Sequence, residues 1–181
     1  MKFKETNIKD LIICEPKLIA DQRGYFFETF REDLLKKFLG YNIKFIQDNE
    51  SFSSYGTIRG LHFQNFPYQQ TKLVRVVKGE ILDIVVDLRK ESKTFGEHYK
   101  IKLSAKNKKQ LLVPKNFAHG FIVTSKNAIV CYKVDNYFSK KHDGGVIFND
   151  TNLNIDWEIE SKDINISSKD LNLPTFNSLE L

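Results

Sequence analysis

From Lys44 to Phe148 the chain runs through short apolar stretches, one after another, broken by turns rich in Gly, Asn, Asp and Lys. No helical segment separates them. Parallel strands need a crossover of a dozen or more residues, so this succession excludes βαβ units and a doubly wound sheet. It points to antiparallel strands in a sandwich or barrel. In EILDIVVDLR, Leu82, Ile84, Val86 and Leu88 alternate with the charged Asp83, Asp87 and Arg89, with Val85 the exception, which is the period of a strand. KLVRVVK, QLLVP, HGFIVTS and NAIVCYKV read as further strands. The turns at Lys78-Gly79 and Ser125-Lys126-Asn127 read as hairpin connections.

Composition agrees. With 15 Phe and 7 Tyr against one Met, the 181 residues favour side chains that suit a pleated, half-buried surface. That length supports one substantial core, and we expect a single domain over 1–181 with a barrel core near 44–148. One helix is predicted before the C-terminal region, EDLLKKFLG, with Leu34, Leu35 and Phe38 at helical spacing and Gly40 where a C-cap belongs. After Asp150 the sequence is polar but retains Ile155, Trp157, Ile159 and Leu171, so residues 150–181 are expected to pack back on the barrel.

The net charge of +5 is scattered, with local clusters at Lys106, Lys108 and Lys109 and at Lys140 and Lys141 that read as solvated loops. Nucleic-acid binding is therefore not expected. A small anionic ligand needs only a few well-placed cations. Cys14 and Cys131 form no CxxC and read as reduced structural thiols. Neither a signal peptide nor a membrane span is indicated, so a cytoplasmic protein that does not engage membranes is expected.

GxGxxG, GxxxxGK[ST], GxSxG and HExxH are all missing, which removes sequence support for dinucleotide, P-loop, hydrolase and zincin readings. Four histidines, His62, His98, His119 and His142, include no HxH pair, so no metal and no cofactor is expected. TIRGLHFQ is more informative. It joins His62 to Arg59, a permanent cation suited to phosphate, and to Gly60, which permits a bulge. Strict alternation would send Arg59 and His62 to opposite faces, so a shared site requires Gly60 to break it. Taken alone, the pattern leaves His62 open between a satisfied core histidine and a functional one. FAHGF places His119 at a strand start, and CYKVDNYF places Tyr132 on the parity of Ala128, Val130 and Val134, where an aromatic core residue would also sit.

Taken in order, DQRGYFFE, FIQDNESFS, TIRGLHFQ, QTKLVRVVKGEILDIVVDLRKESKTFGE, LLVPKNFAHGF, CYKVDNYF, FNDTNLNIDW and SSKD resemble the dTDP-4-dehydrorhamnose 3,5-epimerase family from about Ile13 to Phe176. The resemblance implies a mainly β protein, an antiparallel cupin-type (jelly-roll) β-barrel with a few short helices. It implies His62 as general base oriented by Asp170, Tyr132 as general acid and Lys72 as stabiliser of enolate charge. Arg59 and His119 would line the sugar and phosphate site. Arg23, Phe26, Glu28, Gln47, Asn49, Tyr137 and Lys169 fall at positions similar to the family's nucleotide-sugar contacts. Asp143 stands where relatives often carry Glu. The family's exchange of an N-terminal segment between subunits implies a homodimer.

The chemistry suits these residue types. In a dTDP-4-keto-6-deoxy sugar the ketone acidifies the hydrogens on C3 and C5, because loss of either gives an enolate. A base, a cation and an acid on the opposite face then suffice. Within the enzyme class, a 3-only or 5-only epimerase or a 3,4-ketoisomerase of a related sugar remains the alternative. A non-catalytic carbohydrate-binding barrel and a metal-dependent cupin are the others.

Overall fold

The computed structural model describes residues 1–180. The chain begins with β1 (Lys2–Glu5) and β2 (Ile12–Glu15), then a small hairpin of β3 (Ile19–Asp21) and β4 (Gly24–Phe26), and helix α1 (Glu32–Leu39). Eight strands follow: β5 (Gln47–Ser54), β6 (Thr57–Gln64), β7 (Lys72–Lys78), β8 (Glu80–Asp87), β9 (His98–Ser104), β10 (Gln110–Val113), β11 (Phe117–Val123) and β12 (Asn127–Val134). The C-terminal part adds β13 (Asp143–Gly145), β14 (Asn165–Ile166) and the short helix α2 (Ser168–Leu171). Among the described residues no helix is long and apolar enough to cross a membrane.

Two sheets face each other, ordered β1-β2-β10-β7-β12-β5 and β13-β6-β11-β8-β9, with β14 joining the second in parallel beside β6. The jelly-roll architecture is as expected, although hydrogen bonding does not run from one sheet into the other to close a barrel. Between β5 and β12, the only consecutive strands that pair are β8 and β9. The turns at Lys78-Gly79 and Ser125-Lys126-Asn127 are therefore not hairpins: at each the chain leaves one sheet and enters the other. Turn residues specify that the chain reverses. They do not specify which strand it then pairs with.

Three apolar clusters hold the layers together. Between the sheets lie Val74, Ile81, Val85, Leu103, Leu111 and Phe121, all at or below 5% exposure, and burying each such side chain contributes about 1.5–3 kcal/mol. On the outer face of the second sheet, Leu82, Ile84, Val86 and Leu88 meet Leu153 and Trp157 of the C-terminal segment, with Ile155 and Ile159 packed alongside. Trp157 fixes the contact by donating its indole N–H to the Phe148 carbonyl at 2.8 Å. Leu171, expected in this layer, is 48% exposed instead. On the outer face of the first sheet, α1 buries Leu35 with Leu39 beside it. Phe38 stays 39% exposed, stacked on Phe3 at 5.0 Å. Gly40 caps the helix at φ +81°, as its position predicts.

The alternation in β8 thus has an inverted meaning. Its apolar even positions face away from the sandwich interior, under the C-terminal segment, and its charged odd positions point inward. Asp83 and Asp87 are both fully buried.

Candidate active site

Between the sheets a cavity of about 490 Å³ opens among Arg59, His62, Lys72, His119, Tyr132, Lys169 and Asp170. Its geometry starts at Gly60. In the pairing of β6 with β11, His62 lies opposite His119 but Arg59 lies opposite Phe121, so β6 carries one extra residue between them. That bulge brings Arg59 and His62 onto the same face. Gly60 is required there because its φ is +118° and a Cβ would stand 2.5 Å from the Gly120 Cα and 2.7 Å from the His119 carbonyl oxygen.

The His62 Nε2 lies 2.7 Å from Asp170 Oδ1. Asp170 is delivered by α2, whose N-cap Ser167 accepts the Asp170 backbone N–H at 3.1 Å. Its other oxygen accepts the Gly60 N–H at 3.4 Å. Burial pulls the His62 imidazole below its ordinary value of 6.5. Asp170 pulls it upward, and Lys169 and Lys72 add to the lowering. The ring is therefore neutral and able to accept a proton at pH 7.

Lys72 and Tyr132 enter from the opposite sheet. Tyr132 pairs with Val74 in register, and Lys72, two residues before Val74, shares its face diagonally. Lys72 donates from Nζ to the His62 carbonyl at 3.4 Å. Burial pulls its ammonium down to about 8, with Asp83 and Asp143 acting in the opposite sense. Burial raises the Tyr132 hydroxyl above its usual range, with Arg59 partly offsetting this, so it stays protonated. Arg59 is held by Ser53 Oγ, which accepts from Nε at 2.9 Å, and by the Phe52 carbonyl at 3.3 Å. His119 turns its Nε2 to both oxygens of Asp83, at 3.1 and 3.0 Å. Asp143 lies at the rim, paired with Lys169 and accepting from Gln64 Nε2 at 3.2 Å.

Other candidates lie apart from this cavity. Gln47 and Asn49 bond to each other at 2.7 Å further along β5. Tyr137 is 62% exposed. Arg23 is ion-paired to Asp21 at 2.6 Å, Phe26 is 64% exposed, and Glu28 pairs with Arg31 at 3.0 Å, all on or just after the β3–β4 hairpin. Sequence reasoning missed Asp83, the partner of His119.

The model of the dTDP-4-dehydrorhamnose 3,5-epimerase family matches residues 5–178. The chain belongs to this family.

A dTDP-4-dehydrorhamnose 3,5-epimerase of Shigella flexneri is 44% identical over 172 residues, 95% of this chain and 94% of that one. The crystal structure of the enzyme of that name from Elizabethkingia anophelis NUHP1 is 47% identical with a TM-score of 0.94, covering 98% of this chain and 97% of that one. A dTDP-6-deoxy-D-glucose-3,5-epimerase from Legionella pneumophila Philadelphia 1, solved in complex with dTDP-4-keto-L-rhamnose, is 38% identical with a TM-score of 0.94 and covers 99% and 94% of the two chains. As a member of the dTDP-4-dehydrorhamnose 3,5-epimerase family, the protein is an isomerase.

Proposed function

We propose that the protein converts dTDP-4-dehydro-6-deoxy-D-glucose to dTDP-4-dehydro-L-rhamnose by inverting C3 and C5 in this cavity. One observation carries the reading: the His62–Asp170 pair and the Tyr132 hydroxyl enter the same cavity from facing sheets, with Lys72 beside them. Inversion needs a proton removed from one side of the sugar ring and another delivered to the other side. With Nε2–H donated to Asp170, His62 keeps its lone pair on Nδ1 and takes the proton from C3 or C5. Negative charge moves to the C4 oxygen, where the Lys72 ammonium stabilises it, an effect typically worth 10²–10³-fold. Tyr132 then donates its hydroxyl proton to the opposite face, and solvent exchange restores both groups. Asp170 orients the imidazole and stabilises its charged form. Arg59, His119 and Lys169 bind the sugar and diphosphate, with Asp143 positioning Lys169.

The remaining contacts are assigned across a homodimer. Arg23, Phe26 and Glu28 lie away from the cavity of their own chain, on a hairpin that leaves Ile19, Tyr25 and Phe26 at least 57% exposed. That arrangement supports exchange of the segment into the cavity of a second subunit, where Gln47, Asn49 and Tyr137 complete the nucleotide site. A cytoplasmic location belongs to the same reading, consistent with two unpaired thiols.

Proton NMR in deuterated water with dTDP-4-dehydro-6-deoxy-D-glucose tests the proposal. Deuterium should enter at both C3 and C5. Exchange at one carbon would make the protein a single-site epimerase, and exchange at neither would refute the reading.

A further inference from the structure

We propose that Asp83 is a positioning residue for this epimerisation, acting through His119 and Lys72 without touching the sugar. The inference rests on the functional reading above and extends it to a residue behind the cavity wall. Asp83 has no exposed surface, so no ligand reaches it. Its inward neighbours on β8, Ile81 and Val85, belong to the apolar core between the sheets, a place where an aliphatic side chain would pack without desolvating a charge. A carboxylate at that position has a reason to be there only if it faces cations or donors, and it does. Both its oxygens lie within 3.1 Å of His119 Nε2, which fixes that ring's orientation and leaves Nδ1 as its other polar edge.

The second object of Asp83 is Lys72. That ammonium bonds the His62 carbonyl on β6 and feels the carboxylates of Asp83 on β8 and Asp143 on β13, while His119 on β11 and Tyr132 on β12 line the same cavity. Of these only Asp83 and Asp143 are carboxylates, and Asp143 is already paired with Lys169. Asp83 therefore favours the charged form of Lys72 against burial and holds His119 in the same cavity wall. The cavity thus contains two histidine–carboxylate pairs, His62–Asp170 and His119–Asp83, on residues directly opposite each other in the β6–β11 ladder.

Asp83→Asn keeps the shape and removes the charge. In the deuterium-exchange assay we expect kcat to fall about tenfold or more through Lys72, with a smaller rise in KM through the loosened His119. The alkaline limb of the kcat profile should move to lower pH by roughly half a unit, because Lys72 loses a carboxylate that favours its charged form. In a Lys72→Gln background the same substitution should cost clearly less than it does alone, because only the part that acts through His119 is left to lose. An unmoved limb, or a full additional loss in that background, overturns the proposal. Thermal unfolding is recorded for each variant. Should Asp83→Asn not fold, Asp83→Glu decides: retained charge requires the limb to stay within about 0.2 unit of the wild type, and a limb moved to lower pH counts against it. Wild-type exchange in the same assay is the control that separates failure of this inference from failure of the epimerase reading.

Discussion

At the scale of single residues the cavity sets two opposing titrations. As the proposed base His62 must be neutral, and burial holds it below 6.5, so kcat/KM should rise through a limb on the acid side of that value. As the proposed stabiliser of enolate charge Lys72 must be charged, so activity should fall as the pH passes about 8. Asp170→Asn removes the contribution that raises the His62 pKa. Its acid limb should therefore move further down while kcat drops about 10²-fold or more, as loss of an orienting carboxylate does elsewhere; a limb shifted upward would contradict the assignment. Tyr132→Phe separates the two half-steps, and we expect epimerisation to fall by about 10²-fold while deuterium uptake at the acidic carbons survives. Full epimerisation by that variant would remove Tyr132 from the role of acid. That His62 and Arg59 could share a site was legible in TIRGLHFQ, and Lys72 was named through the family resemblance alone; all three line the cavity. Asp83 was not legible, because alternation shows that two faces of a strand differ without showing which one meets solvent, and β8 is covered on both.

Among the elements, the bulge in β6 matters most to the site, and its glycine was readable for a physical reason. Arg59 and His62 stand three positions apart, and only a break in the pleat puts them on one face. Gly60→Ala meets both a positive φ and a backbone approach of 2.5 Å, so it should cost roughly 3 kcal/mol, read as a fall in the thermal midpoint of about 6–12 °C for a chain of this size. Activity should fall further than stability, because the strand can relieve the clash only by moving Arg59 relative to His62. A stable, fully active variant would show that the bulge is incidental. The wiring of the elements was less legible. Strand pairing in a jelly roll is decided by contacts far apart in sequence, so the local turn signals at Lys78-Gly79 and Ser125-Lys126-Asn127 gave the right positions with the wrong partners. Helix α1 carried its own boundary signals, and there the reading and the structure agree.

For the whole molecule, the position of the β3–β4 hairpin makes a quantitative test of subunit exchange available. If Arg23 serves the cavity of a second subunit, His62→Ala and Arg23→Ala chains are each inactive alone but complementary. A mixed dimer places an intact His62 and a partner's intact Arg23 in one of its two cavities. Random reassembly of equal amounts should therefore recover about a quarter of the wild-type activity, given half the dimers mixed and one working site in each. No recovery on co-refolding would place Arg23 in its own chain's site, and full activity of the Arg23→Ala chain alone would place it outside the site altogether. The link between His62 and Asp170 has a consequence in time. The two residues are separated by 108 positions in sequence, so a ribosome adding residues at its usual pace takes roughly 5–20 s to travel from one to the other. Throughout that interval the growing polypeptide carries His62 without the carboxylate that faces it, and the sandwich lacks the C-terminal covering that delivers Asp170. On the proposed mechanism, the full rate of epimerisation waits until the C-terminal turns dock and bring Asp170 to His62.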